Sequence, residues 1–206
     1  MRKVIADQSM SLDGFSTGPN VAVGNGMGDG GDQLHEWMGW EDEDGGPAAR
    51  AGVGSEDELT PFDLLKRSGA VVVGRRMFDV GEEPWGDDPP FHQPVFVVTH
   101  RPKAPIVKEG GTTYTFVTGG IAAALARAKE AAGGKDVAVL GGADVIRQLA
   151  EAGLLDELRL HLAHVLLGDG TRLFDRIDPK RVTLERTRVV DAPGVTHFKF
   201  RVRTNS

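Results

Sequence analysis

Short apolar runs alternate along this chain with segments whose apolar residues recur at helical spacing. Five runs are rich in β-branched residues, are bounded by polar residues or glycine, and predict strands at residues 3–6, 70–73, 95–98, 114–117 and 137–140. Periodicity and capping predict helices at residues 60–67, 120–132 and 144–152. Because strands that alternate with helices require crossover connections, the pattern indicates a mostly parallel sheet.

The C-terminal end of the chain has a different pattern. Residues 158–162 and 197–203 alternate between apolar and polar, as half-buried strands do. The turn residues Asp191-Ala192-Pro193-Gly194 separate two strand-like segments at 182–190 and 195–202, which predicts a hairpin. We therefore expect one α/β domain over residues 1–206, a three-layer fold whose mostly parallel central sheet ends in an antiparallel C-terminal hairpin.

Residues 18–57 are rich in glycine and acidic residues and show little periodicity. They predict long loops around one short helix near residues 32–38. Within them, Gly26-Met27-Gly28-Asp29-Gly30-Gly31 matches the G-x-G-x-x-G pattern of dinucleotide-binding turns. Such a turn requires a full strand before it, and only Val21-Ala22-Val23 precedes this one, so we interpret it as a loop.

Composition narrows the class of protein. The chain has 206 residues, of which 40% are hydrophobic and 26% charged, as in ordinary globular domains. A net charge of −6 argues against binding to nucleic acid or to an anionic membrane. No apolar stretch approaches the roughly 20 residues of a membrane span, and the N-terminus lacks a signal-peptide core, so we expect a cytoplasmic protein. The sequence contains no cysteine, which excludes thiolate metal sites and cysteine nucleophiles. We expect no metal site.

The strand-to-helix junction at Gly141-Gly142 carries the most specific signal. Two glycines let backbone approach a ligand closely, and the helix that follows presents free N–H groups and the positive end of its dipole. This arrangement suits a phosphate or pyrophosphate, although many strand-to-helix turns carry glycine for geometry alone.

Two further junctions carry groups that suit phosphate. Gly74-Arg75-Arg76 ends one predicted strand, and Thr99-His100-Arg101 follows the next. Guanidinium groups can bind phosphate through paired hydrogen bonds. Since ligands of open α/β sheets bind at the carboxyl ends of the strands, three such junctions together predict a nucleotide site.

In these motifs the chain resembles the reductase half of bacterial riboflavin-biosynthesis deaminase-reductases, within the dihydrofolate-reductase-like fold. The resemblance covers nearly the whole chain. It depends on the order and spacing of six short motifs: Ser9-Met10-Ser11-Leu12-Asp13-Gly14-Phe15, Gly74-Arg75-Arg76-Met77-Phe78, Val98-Thr99-His100-Arg101-Pro102, Val139-Leu140-Gly141-Gly142, Leu155-Asp156-Glu157-Leu158 and Val165-Leu166-Leu167-Gly168-Asp169-Gly170-Thr171-Arg172-Leu173-Phe174.

The resemblance implies NADPH as the cofactor and hydride transfer to a C=N or C=O group of a small, heterocyclic or carbonyl-bearing molecule. It assigns the nicotinamide end to the glycine pair and to the mobile loop that begins near Ser9, and the 2′-phosphate to residues around Arg101. The expected cofactor-binding residues are Ser9, Gly14, Gly74, Arg75, Arg76, Thr99, His100, Arg101, Thr118, Gly141, Gly142, Ala143, Asp144 and Val145.

The chain departs from the relatives at positions that concern the substrate. The first-helix carboxylate that binds the pterin in dihydrofolate reductases aligns at or next to Gln33, so folate is not expected. Leu140 stands where riboflavin-pathway reductases usually carry glutamate. For catalysis we consider Asp13, as a group that orients the substrate or the loop, and Asp32 or Glu36, as a proton source.

Other interpretations remain open from sequence alone. The fold could serve as a non-catalytic nucleotide-binding or sensing domain, or as an interaction module that binds no NADPH. Trp37, Trp40 and Trp85 suit packing or the wall of a substrate pocket, and His161 suits a structural role. Relatives of this type often pair subunits through the last strands, so we expect a homodimer, with a monomer as the alternative.

Overall fold

The computed structural model describes residues 2–38 and 60–205. Nine strands form one sheet in the order β10-β11-β8-β1-β7-β3-β4-β6-β5, and β2 and β9 form a second, two-stranded sheet. The strands are β1 (Val4–Ser11), β2 (Phe15–Thr17), β3 (Ser68–Gly74), β4 (Pro94–Val98), β5 (Ile106–Val107), β6 (Thr113–Val117), β7 (Asp136–Val139), β8 (Glu157–Ala163), β9 (Thr171–Arg172), β10 (Val182–Ala192) and β11 (Val195–Thr204).

The centre of the sheet is parallel and its edges are antiparallel. β8, β1, β7, β3, β4 and β6 run parallel, whereas β11 pairs antiparallel with β8 and with β10. Strands β3 and β7 consist largely of valine and alanine, and β1 begins with Val4-Ile5-Ala6. All three are mostly buried, because layers cover both faces of a central parallel sheet.

Four α-helices are present in the part of the chain that the structure describes: α1 (Pro61–Arg67), α2 (Arg75–Trp85), α3 (Gly120–Ala131) and α4 (Ala143–Glu151). Helix α1 begins with a capping box, in which the Thr60 and Asp63 side chains each accept the other residue's backbone N–H. Helices α3 and α4 pack on one face of the sheet with Val4, Ala6 and Leu158. Residues of α1 and α2 pack on the other face with Ile5 and Val71, so the architecture has three layers.

This architecture confirms the predicted fold, an α/β sheet that is mostly parallel and ends in a C-terminal hairpin. Two short 3-10 turns, Gly31–Leu34 and Glu36–Met38, occupy the region of the predicted short helix. The remainder of the predicted long loop and Trp40 lie outside the described residues. Among the described residues, no helix has the length and apolar character that crossing a membrane requires.

The sequence prediction includes a strand-to-helix junction at Gly74 but no helix range for α2, and it lacks the small β2–β9 sheet. The helix contains Gly81 and Pro84, which have the lowest helix propensities. The structure explains the first of them: the Trp85 ring lies over Gly81, and a Cβ there would fall within 2.4 Å of ring carbons. Packing of Trp85 against Phe91 and Tyr114 therefore stabilises a helix that its local sequence does not favour.

Candidate functional site

Three helices begin at the same edge of the sheet without a capping side chain. Helices α2, α3 and α4 follow β3, β6 and β7, and their N-caps are Gly74, Gly119 and Gly142. None of these caps makes a side-chain hydrogen bond, in contrast to the capping box of α1. Because β3, β4, β6 and β7 are parallel neighbours, three helix starts with free N–H groups lie along one edge, where an anionic ligand would be stabilised.

The glycine pair is held against β3 and leaves one position open. The backbone N–H of Gly74 donates to the carbonyl oxygen of Gly141 at 2.8 Å. Gly141 has φ of +111°, and a Cβ there would lie 2.9 Å from Oε1 of Gln8, so the position requires glycine. Gly142 has φ of −83°, is exposed, and has no atom within 4 Å of an ideal Cβ. Space therefore remains at Gly142 for a bound group.

Basic side chains surround the start of α2 and the loop after β4. Arg75 and Arg101 both donate to the Asp79 carboxylate, so one negative charge faces two guanidinium groups. This pairing lowers the pKa of Asp79, although its partial burial opposes the shift. Arg76 and His100 are exposed beside them. The structure thus brings together four of the predicted phosphate-binding residues.

The remaining predicted cofactor residues lie along the same edge. Thr99 is buried, and its hydroxyl accepts from the backbone N–H of Arg101 at 3.0 Å, which shapes the loop. Thr118 is exposed immediately before α3. In the first turn of α4, Ala143 and Val145 are buried, while the Asp144 carboxylate accepts from Arg147 and Gln148 of the same helix.

Asp13 holds two loops together. Its carboxylate accepts from the Ser11 hydroxyl at 2.5 Å and from the backbone N–H groups of Leu167 and Gly168. These bonds, the Ser11 hydroxyl foremost, lower the Asp13 pKa to about 2. Gly14 follows at φ of +93° in the same turn. The geometry suits the predicted role of orienting the loop, because the carboxylate oxygens bind the chain itself.

The two predicted proton sources lie on the 3-10 turns that cover β1. Asp32 and Glu36 are exposed there, whereas Leu34 between them is buried. His35 joins the two turns and Trp37 lies on the second, and both are less exposed than Asp32 and Glu36. Burial lowers the His35 pKa to about 4, and the charge of His161 adds to the shift.

A buried polar cluster under these turns was not predicted. Asp7 of β1, His161 of β8 and His197 of β11 are each at most 4% exposed. His161 Nε2 lies 2.9 Å from Asp7 Oδ1, and the two imidazole Nδ1 atoms lie 2.7 Å apart. The Trp37 ring packs against both imidazoles, at centroid distances of 4.8 and 4.9 Å. One signal was available: Asp7 directly follows the apolar run Val4-Ile5-Ala6 within a central strand.

This cluster adjoins the glycine pair. Ser9, a predicted cofactor residue, is buried two positions after Asp7 and pairs with His161 in the sheet. Val139 pairs with Ala6, which places Leu140 beside Asp7 and the glycine pair just beyond it. Among residues 2–38 and 60–205, no group of histidine and carboxylate side chains is arranged to hold a metal ion.

Comparisons with known proteins agree with this geometry. A curated relative, the uncharacterized protein YyaP of Bacillus subtilis (strain 168), is 27% identical over 186 residues, covering 87% of this chain and 83% of the relative. A solved structure from Shewanella sp. PV-4, named for riboflavin biosynthesis, has a TM-score of 0.67 at 19% identity and covers 98% of this chain and 99% of that one.

A dihydrofolate reductase from Enterococcus faecalis, solved with NADP(H), has a TM-score of 0.50 at 15% identity, covering 99% of this chain and 97% of that one. The RibD C-terminal domain, a family described by that name, matches residues 2–197. The sheet therefore has the fold of the dihydrofolate-reductase-like neighbours, and this chain belongs to the RibD C-terminal domain family.

Proposed function

We propose that the protein is an NADPH-dependent reductase that transfers hydride to a C=N or C=O group of a small molecule. The observation that carries the proposal is the row of three helix starts, each capped by glycine and free of a capping side chain, at one edge of the sheet. Membership of the RibD C-terminal domain family supports the reductase class.

The residues at this edge fit a dinucleotide. Backbone N–H groups at the starts of α2, α3 and α4 can donate to pyrophosphate oxygens. The open space at Gly142 leaves room for the bound dinucleotide. Arg76 and His100 are exposed where a 2′-phosphate would add about two negative charges. Asp79 balances only one of the two guanidinium groups of Arg75 and Arg101, so the surface retains positive charge.

The substrate would lie beside the glycine pair, over β1 and under the 3-10 turn that carries Trp37. When bound, the reduced nicotinamide supplies the hydride. The chain's own contribution is to position the acceptor carbon, to exclude water and to supply a proton to the heteroatom. The buried side chains of Asp7, His161 and His197 lie on β1, β8 and β11, and Asp7, on the strand next to β7, is one residue short of the level of the glycine pair.

A turnover assay tests the proposal. Purified protein is mixed with NADPH and a panel of carbonyl, cyclic imine, pterin and pyrimidine compounds, and oxidation is followed by the loss of reduced-nicotinamide absorbance. We expect steady oxidation with at least one class of acceptor. Binding of NADPH without oxidation by any member of the panel would instead favour the nucleotide-sensing alternative.

A further inference from the structure

The polar cluster of Asp7, His161 and His197 is a continuous hydrogen-bonded chain across three neighbouring strands. His161 and His197 are directly opposite each other in the antiparallel β8–β11 pair, and Asp7 is on the next strand, β1. This series of hydrogen bonds runs from the Asp7 carboxylate through both ring nitrogens of His161 to Nδ1 of His197. It ends at His197 Nε2.

The hydrogen bonds restrict where protons can lie. Since a carboxylate only accepts, His161 donates from Nε2 to Asp7. One proton lies between the two Nδ1 atoms and belongs to either ring. If it is on His161, that ring is an imidazolium and His197 carries its own proton at Nε2. If it is on His197 and the pair holds one proton fewer, His161 is neutral and His197 Nε2 is a bare acceptor.

Of the two rings, His161 is the one that bonds to the Asp7 carboxylate, whose negative charge would stabilise an added proton. Burial, together with the positive charge of His161, lowers the His197 pKa to about 4, although Asp7 opposes the shift. Other titratable or charged groups lie near this hydrogen-bonded cluster: His35 and Asp32 from the 3-10 turn, Arg159 and Glu157 on β8, and Lys199 on β11. A proton on the pair is thus held next to the Asp7 carboxylate.

Two atoms of the cluster have no partner within the part of the chain that the structure describes. They are Asp7 Oδ2 and His197 Nε2, both buried. Leaving a buried polar group unsatisfied is destabilising, and native structures contain few such groups. Two in one hydrogen-bonded cluster, of which Asp7 lies beside the glycine pair, indicate that the cluster is arranged for a polar ligand rather than for stability.

We propose that Asp7, His161 and His197 form a proton relay that ends at the substrate, and that His197 Nε2 is the proton donor of the reduction. The proposal rests on the proposed function. As hydride adds to the acceptor carbon, the π electron pair moves to the nitrogen or oxygen, which takes the proton from His197 Nε2. His197 Nδ1 then takes the shared proton from His161, and His161 becomes neutral while its Nε2–H remains bonded to Asp7.

The relay assigns a role to each member. His197 is the residue that contacts the reacting heteroatom, so it is a catalytic residue in this scheme. His161 and Asp7 act through it: His161 stores the proton, and the Asp7 carboxylate stabilises the imidazolium. Trp37, which packs on both imidazoles, keeps water away from them and must yield space to the substrate.

A matched pair of acceptors separates proton delivery from hydride transfer. Reduction of a cyclic imine needs a hydride and a proton, whereas its N-methyl iminium salt needs the hydride alone. His197→Asn keeps a group at the Nδ1 position and removes Nε2. We expect it to lower imine turnover by about a hundredfold or more and to change the pH profile of that reaction, with iminium turnover and NADPH affinity unchanged.

Asp7→Asn is the second variant, because it keeps the shape of the side chain and removes the charge that holds the relay proton. It should show the same selective loss for the imine. His164→Asn is the control, since His164 is an exposed histidine just beyond β8 whose side chain bonds only to Thr196 in the described chain.

The outcomes are distinguishable. If the unmodified protein reduces neither acceptor of this pair nor any other member of the acceptor panel, the proposed function is wrong. If it reduces both, and His197→Asn and Asp7→Asn retain the same imine-to-iminium rate ratio and pH profile, the proposed function stands and the relay is wrong.

Discussion

Arg75 Nη1 donates to the backbone carbonyl of Arg101 at 3.2 Å, which joins the start of α2 to the loop after β4. Asp79 bonds to both side chains and fixes the guanidinium groups in place. Arg76 and His100 flank this pair and are exposed. The two junctions that looked separate in the sequence therefore form a single basic surface at the carboxyl edge of the sheet.

This surface predicts cofactor preference. We expect the protein to bind NADPH at least about tenfold more tightly than NADH, a difference of roughly 1.4 kcal/mol, because the 2′-phosphate meets uncompensated positive charge. Arg76→Ala or Arg101→Ala should weaken NADPH binding more than NADH binding. Parallel calorimetric titrations of both cofactors measure this, with Arg186→Ala on β10 as the control. Equal affinities in the unmodified protein would contradict the prediction.

The hydrogen bonds by which the Asp13 carboxylate joins two loops predict that the protein loses stability in acid. The folded pKa of Asp13 is about 2, and an ordinary aspartate titrates near pH 4, so its stabilising effect is complete above about pH 4 and is lost as the pH falls toward 2. Asp13→Asn should lower the unfolding temperature at neutral pH and make the unfolding temperature less dependent on pH in that window.

The control for Asp13 is Glu130→Gln, a change at an exposed carboxylate on α3. Thermal unfolding followed by circular dichroism at several pH values gives both curves. If Asp13→Asn and Glu130→Gln unfold at the same temperatures throughout, the carboxylate does not hold the two loops together.

His197 predicts a second pH dependence, in a different window. Its folded pKa is about 4, below the ordinary value of about 6.5, so the unfolded chain takes up a proton that the folded chain excludes. Stability should therefore fall as the pH decreases from about 6.5 to 4, and His197→Asn should reduce this slope by about one proton. Urea unfolding across this range measures it, and an unchanged slope would show that His197 titrates normally.

The outer edge of the sheet predicts assembly. Leu184 and Val189 are each 39% exposed on β10, the edge strand beside β11. We propose that two copies pair through this side, with strands of the last 50 or so residues at a two-fold interface. Light scattering at micromolar concentration should give about twice the 22.0 kDa chain mass.

Leu184→Lys with Val189→Lys should return the mass to that of one chain. Val107→Lys, at the exposed valine of β5 on the opposite edge of the sheet, should leave the dimer intact. A mass near 22.0 kDa for the unmodified protein would favour the monomer, whose edge is then protected by charge alone.

Local pattern was enough to predict most of the sheet. The buried valine-rich strands β3, β4 and β7 and helices α3 and α4 each carry their signal within a few residues. Helix α2 carries no such local signal, because Gly81 and Pro84 are poor helix formers. The packing of Trp85 that compensates for them is a tertiary contact.

The candidate site also has one part that the sequence predicts and one part that only the structure reveals. Glycine-capped junctions are local in sequence, and the structure places them side by side. The Asp7–His161–His197 chain joins residues up to 190 positions apart, and only the strand order brings them together. In the sequence, His197 looks like the first residue of the charged face of its strand, with Lys199 and Arg201. In the structure it is 1% exposed, because the turn with Trp37 covers that end of β11.

The most direct test of the account is an NADPH titration of three proteins, followed by quenching of tryptophan fluorescence. Gly142→Ala places a methyl group in space that the chain leaves open, at a φ that alanine accepts, so it should abolish binding while the unfolding temperature shifts by only a few degrees. Gly26→Ala is the control, since its nearest contact is an ordinary 3.6 Å to Val80. We predict that the unmodified protein and Gly26→Ala bind NADPH and that Gly142→Ala does not. The account is contradicted if Gly142→Ala binds NADPH normally or if the unmodified protein does not bind it.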